Sequence, residues 1–167
     1  MAVSNAGMLK GIHDDLSAMA AKAVSSDFVA VIKGYEQYSL LTNKAPWAVI
    51  TPGEPMEVPG PLGTATWQPS QAKTHMQGSM SFQETETGMV DNMLIALLAS
   101  GGQFDMTLYE GTRSHFTRAK RYRKCTFVAE PLERDWESRS QPMIIEGTLF
   151  FHYVGEDLDG NTESLSG

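Results

Sequence analysis

The sequence predicts a mainly β protein that carries two amphipathic helices. Three patterns support this: apolar and polar residues alternate over 74–84 and 143–154, apolar residues recur at three- and four-residue spacing over 8–24 and 89–98, and prolines crowd into 43–70. With 167 residues the chain suits one compact domain, expected to span 1–155, followed by an acidic flexible tail over 156–167. Hydrophobic residues at 41% and charged residues at 20% match ordinary globular usage, so the chain is expected to fold.

Near the start, Leu9, Ile12, Leu16, Met19, Ala20, Ala23 and Val24 fall on one helical face, predicting an N-terminal helix over about 8–25. Phe28–Lys33 reads as a strand. Gly34 punctuates it, and Tyr35–Leu41 reads as the returning strand of a hairpin. The 43–70 stretch then holds six of the eight prolines, so it cannot be a central strand. It is nevertheless rich in apolar side chains: Trp47, Val49, Ile50, Met56, Val58, Leu62 and Trp67. Two readings follow, a loop packed on its own domain or an arm that reaches a neighbouring subunit.

Over 74–84, Met76, Gly78, Met80 and Phe82 share one face of a half-buried strand. Thr85 or Thr87 is placed to cap the next helix, in which Met89, Val90, Met93, Leu94, Leu97 and Leu98 repeat at helical spacing and Ser100-Gly101-Gly102 ends the run. Strands are expected over Gln103–Glu110, Tyr122–Glu130 and Met143–Val154. The last is apolar on both faces, with Ile145, Leu149, Phe151 and Tyr153 opposed to Ile144, Phe150 and Val154. Such a strand belongs in a sandwich centre or in a sheet shared between subunits. Beyond Gly155 the chain has no apolar periodicity, and a mobile tail is expected.

Charge and chemistry narrow the function classes. The formal net charge is −7, and about −3 without Glu156, Asp157, Asp159 and Glu163, which lacks the footprint of a protein that grips nucleic acid. One basic run, Arg113, Arg118, Lys120, Arg121, Arg123 and Lys124, is the exception, read as a solvated or inter-subunit face or as a polyanion contact. Cys125 is the only cysteine, so no intrachain disulfide forms, which fits folding in a reducing cytoplasm. The longest apolar run, Met89–Ala99, is too short to cross a membrane, and a signal peptide is not expected, since no basic n-region precedes an apolar h-region at the N-terminus. His13, His75, His115 and His152 are never at metal-pair spacing, and no nucleophile elbow or phosphate-binding loop is present. No catalytic residue, cofactor or metal site emerges, and no enzyme is expected.

The order of elements resembles the tail tube proteins of contractile bacteriophages, whose fold is shared with type VI secretion tubes. The likeness covers about 28–154 and lies mainly in the second half: the strand from Met76 to Phe82 leading into the helix around Met89–Leu98, then YRKCTFVAEPLERDW, then SRSQPMIIEGTLFFHYV. Asp135-Trp136 takes the place of an acidic-aromatic turn, with Phe151 and Tyr153 as closing aromatics. The N-terminal helix departs from the simplest family pattern. The resemblance implies a β-sandwich or barrel with a flanking helix, and homo-hexameric rings stacked into the tail tube of a virion made in the host cytoplasm. Tail sheath, tape measure and baseplate proteins would be its partners, and genomic DNA would pass through the lumen without specific binding. Inter-subunit contacts are then expected from Trp47, Ile50, Met56, Val58, Leu62 and Trp67 on the arm and from Arg118, Lys120 and Arg121 in the basic run. The competing readings are a single-ring baseplate or terminator component and a small-ligand-binding barrel built around Trp47 and Trp67.

Overall fold

The computed structural model describes residues 5–19 and 21–161; Ala20 of the predicted helix and 162–167 of the predicted tail lie outside the described residues. The chain is mainly β with flanking helices, in the order α1 (Ala6–Ala18), β1 (Val29–Ile32), a 3-10 helix (Glu36–Leu41), β2 (Thr42–Lys44), β3 (Met56–Pro59), β4 (Ala65–Gln68), β5 (His75–Gln83), α2 (Met89–Ala99), β6 (Phe104–Gly111), β7 (Phe116–Ala129), β8 (Ile144–His152) and β9 (Asp157–Asp159). The principal sheet is antiparallel, ordered β1-β6-β7-β8-β5-β2, with β9 paired to β7; β3 and β4 form a hairpin of their own.

The long strand β7 organises this arrangement. Its first part pairs with β6 on one side and β9 on the other, and its last part, Thr126–Ala129, pairs with β8. The register shifts between Arg123 and Thr126, and Lys124 there takes φ 47°, the left-handed region that bends a strand away from its plane. One strand thereby serves two sub-sheets, β1-β6-β7-β9 and β7-β8-β5-β2. Their inward faces share one core: Ile32, Met106, Leu108, Tyr122 and Cys125 from the first, Met80, Phe82, Ile145, Leu149 and Phe151 from the second, and Val90, Met93 and Leu97 from α2. Tyr122 stacks on Phe151 with ring centroids 4.5 Å apart and meets Tyr153 edge-on at 6.0 Å, tying the two faces together. Close approach of β7 and β8 depends on Gly147, where a Cβ would stand 2.2 Å from the Val128 carbonyl oxygen.

The alternation in β5 and β8 reads through directly, since Met80, Phe82, Ile145, Leu149 and Phe151 all point into the core. Four expectations need correction. Tyr35–Leu41 does not return as a strand but forms the 3-10 helix, because Tyr35, Tyr38 and Leu41 recur every three residues and all pack on the core. Consequently β1 finds its partner in β6, not in a local hairpin. The strand expected to start at Tyr122 starts at Phe116, so β7 carries Arg118, Lys120, Arg121, Arg123 and Lys124 within the sheet and leaves Arg113 in the connection before it.

The third correction concerns the helix ends. Helix α1 stops at Ala18, with Met19 extended, and it buries none of its residues; with nothing packed on it, no tertiary contact extends it to residue 25. Before α2 the N-cap position is Gly88, not Thr85 or Thr87. The Thr85 Oγ1 does accept the Met89 N–H at 3.2 Å, while the Glu84 carboxylate accepts the N–H groups of Val90 and Asp91 at 2.9 and 3.0 Å.

The fourth correction is the tail, expected to be free beyond Gly155. Residues 157–159 instead pair with 118–120 of β7, the Arg121 N–H donates to the Glu156 carbonyl at 2.9 Å, and the Phe116 N–H donates to the Asn161 side chain at 3.0 Å. The reason is an open edge. β8 leaves β7 at His152 while β7 continues, and unpaired backbone groups there are costly in a partly buried setting.

Candidate assembly surface

The 43–70 segment divides into a root and a projection. At the root, the buried Tyr122 hydroxyl donates to the Pro46 carbonyl at 2.8 Å and accepts the Ala48 N–H at 2.9 Å. The Lys120 ammonium, in a side chain only 9% exposed overall, donates to the Ala48 carbonyl at 2.5 Å and lies 4.8 Å from the Trp47 ring centre and 5.0 Å from that of Tyr153. Burial holds the Lys120 pKa below its ordinary value, and burial raises those of Tyr122 and Tyr153, the latter to about 12 with help from its hydrogen bond to Asp157. The Pro46 ring also lies against Gly78, where a Cβ would approach to 2.4 Å.

Beyond the root, a bridge between Pro52 and Ala72 and a hydrogen bond from the Gly53 N–H to the Gln71 carbonyl close the neck of the arm. The hairpin past this neck is exposed along both strands. Its register places Glu57 opposite Trp67 and Pro59 opposite Ala65 on one face, with Met56, Gln68, Val58 and Thr66 on the other. Trp67 is 71% exposed, and Leu62, in the connection with φ 58°, is fully exposed. The arm therefore carries its apolar side chains into solvent, a costly arrangement for an isolated chain.

Of the sequence-predicted contact residues, Ile50, Met56, Val58, Leu62 and Trp67 lie exposed on the segment, as the arm reading requires. Trp47 does not join them, being half-buried against the core. Nor does Lys120, whose charge is spent on the Trp47-Ala48 root. Arg118 sits 5.0 Å over Trp47 while its Nε contacts Glu110 at 2.5 Å, so it too is engaged within the chain. Arg121 alone of the three predicted cations points outward without a side-chain partner among the described residues. It lines a cleft of about 370 Å³ with Lys33, Glu36, Asp105, Arg113 and Arg123, whose own guanidinium pairs with Glu156.

Other exposed apolar residues were not among the predicted contacts. Helix α1 shows Leu9, Ile12 and Leu16, α2 shows Ile95 and Leu98, and Trp136 stands 94% exposed in the 131–142 connection, where the Asp135 carboxylate accepts the Glu137 N–H at 2.9 Å and forms the expected turn. The anchoring roles of Tyr122 and Glu84 were not foreseen, and Lys120, expected at a subunit contact, instead anchors the root. Their only signal is a polar group within an apolar strand or just before a helix. Among the described residues no cluster of three or more His, Cys, Asp or Glu side chains could hold a metal ion, and no helix is long and apolar enough to cross a membrane. Burial pushes the Cys125 thiol up to about 12, which leaves no reactive thiolate at neutral pH.

The fold recurs in solved structures. A chain of an extracellular contractile injection system, the PVC sheath-tube complex in its extended state, superposes with a TM-score of 0.54 at 11% identity, over 87% of this chain and 97% of its own length. The chain has a tail-tube-type fold. The cap that terminates the anti-feeding prophage tube aligns with a TM-score of 0.54 at 9% identity, covering 86% and 95% of the two chains, and a chain of the anti-feeding prophage baseplate aligns with 0.51 at 12%, covering 84% and 98%. No family profile and no curated protein matches the sequence.

Proposed function

We propose that this tail-tube-type chain is a structural, non-enzymatic subunit that self-assembles into hexameric rings, which stack into a tail tube and form the conduit for DNA ejection. The observation that carries the reading is the hairpin arm: a closed, well-anchored projection whose apolar side chains face solvent on a fold shared with tube proteins of injection systems. Such a projection is stable when another subunit covers it. The body and arm act as one domain, the docked subunits are copies of this chain, and sheath, tape measure and baseplate proteins bind the finished tube in the virion tail. An acidic subunit suits a lumen in which DNA must slide, because each phosphate neutralised by the wall would add sticking.

Electron microscopy of the purified chain tests this. Stacked rings or filaments are expected; a chain that remains monomeric at high concentration overturns the reading. Lone rings would favour the second reading, a terminator or baseplate ring. The solvent-facing apolar stripe of α1 supports that reading, as does the occurrence of the fold in a tube cap and a baseplate.

A further inference from the structure

We infer that the Glu57–Trp67 pair on the hairpin arm is a receptor for one guanidinium, and that its occupant is Arg121 of a second copy of this chain. The inference rests on the assembly reading above and names the contact that the arm makes. The two residues are direct cross-strand partners, so the carboxylate and the indole share one face of a two-stranded ribbon, and both are exposed. A carboxylate beside an aromatic face suits an arginine better than a lysine, because the planar guanidinium stacks on the ring while its N–H groups reach the oxygens.

The chain already contains this combination in its occupied form. At the root, the Arg118 guanidinium lies 5.0 Å over the Trp47 ring while its Nε contacts Glu110 at 2.5 Å. Glu57 and Trp67 repeat the carboxylate and the indole without the cation. No ion pair or hydrogen bond of the Glu57 side chain exists among the described residues, and between Val49 and Ala72 the only charged residues are Glu54 and Glu57. The arm can therefore supply no cation of its own.

The complementary surface is the outer face of β1, β6 and β7. There Lys33, Arg113, Arg121 and Arg123 outnumber Glu36 and Asp105 around one cleft. Both acids are engaged with backbone, Glu36 accepting the Gly34 N–H at 3.2 Å and Asp105 the Lys124 N–H at 3.1 Å, and Arg123 is paired with Glu156. That leaves Arg121 as the strand-borne guanidinium with no side-chain partner among the described residues. It is held on β7, a central and rigid strand, which fixes where the arm of a neighbour must dock.

The test is a charge swap read on assembly of the full chain by sedimentation and electron microscopy at physiological salt. Glu57→Arg and Arg121→Glu are each expected to lower the assembled fraction about tenfold or more, and the double variant to recover most of it, since the swap restores an opposite-charge pair. Trp67→Leu should also impair assembly, with Trp67→Phe milder because a ring face remains. All these sites are exposed, so melting temperatures should stay within about 2 °C of the parent. If Arg121→Glu assembles normally, or the double variant is as defective as either single, the pairing is wrong. A variant with residues 55–69 replaced by a short turn separates the two levels. If it fails to assemble while the swap gives no rescue, the arm stands and Arg121 falls; if it assembles normally, the arm reading itself is lost.

Discussion

The hairpin arm and the segment after Gly155 are opposites in composition and opposites in fate. The arm is apolar and proline-rich, yet it stands outside the core. Residues 156–161 are acidic and polar, yet they are tied to β7 by backbone pairing, by the Glu156 to Arg123 ion pair and by the Tyr153 hydroxyl donating to Asp157. Composition alone would have exchanged their places. What decides is whether the core offers each segment an unpaired edge or face. β7 runs past the end of β8 and needs a partner, whereas the core is filled by the other elements and leaves the arm no open apolar face.

The comparison can be broken most severely by exchanging residues 55–69 for a short turn. Assembly should be lost, while the monomer keeps its circular dichroism and melts within a few degrees of the parent, because every anchor of the root lies at or before Ala48 and the neck closes at Pro52 and Ala72. A fall of more than about 10 °C would show that the hairpin is part of the fold. Next in size is truncation. A chain ending at Gly155 should melt roughly 5–15 °C below one ending at Asn161, since losing several backbone bonds at ~0.5–1.5 kcal/mol each amounts to a few kcal/mol in a domain of this size. An unchanged midpoint by calorimetry would show the segment to be unimportant.

Smaller is the effect of Tyr122→Phe, which leaves the Ala48 N–H without its acceptor. We expect a loss of ~1–3 kcal/mol in chemical denaturation and faster proteolysis near Ala48, while unaltered stability would deny the clamp. The smallest effect is on pH dependence. Cys125 and Tyr153 hold their protons up to about 12 in the folded chain, against ordinary values of 9.0 and 10.0, so the folded state binds more protons than the unfolded one in between. Their contribution is intact below pH 9 and lost as pH rises from 9 toward 12. Lys120, lowered by burial, works in the opposite direction and offsets part of the loss. A melting midpoint that falls above pH 9, and falls less in the chain cut at Gly155, is expected; a flat profile to pH 11 would contradict it.

Alternating and helical spacings made β5, β6, β8 and α2 legible, because each buries one face and its periodicity records which. The 3-10 helix was misread although Tyr35, Tyr38 and Leu41 repeat at three, because the short segment follows Gly34 as the second half of a hairpin would. The first half of β7 was hidden for a different reason. Arg118, Lys120, Arg121 and Arg123 look like a surface loop, but Lys120 is buried by its bond to Ala48 and by the rings of Trp47 and Tyr153, contacts more than thirty residues distant in sequence. For the candidate site, prolines and exposed apolar residues identified the arm. They could not divide root from projection, since Trp47 and Trp67 differ only in what lies across from them.

The strand order also governs when the molecule can become itself. Among the described residues β8 lies between β7 and β5 and alone joins the β1-β6-β7 half to the β5-β2 half, yet it follows all five of those strands in the chain. Until it pairs, each half keeps an unpaired strand edge, the kind of surface on which chains associate prematurely. Under the assembly proposed above, a subunit is complete for polymerisation only once that last central strand is in place.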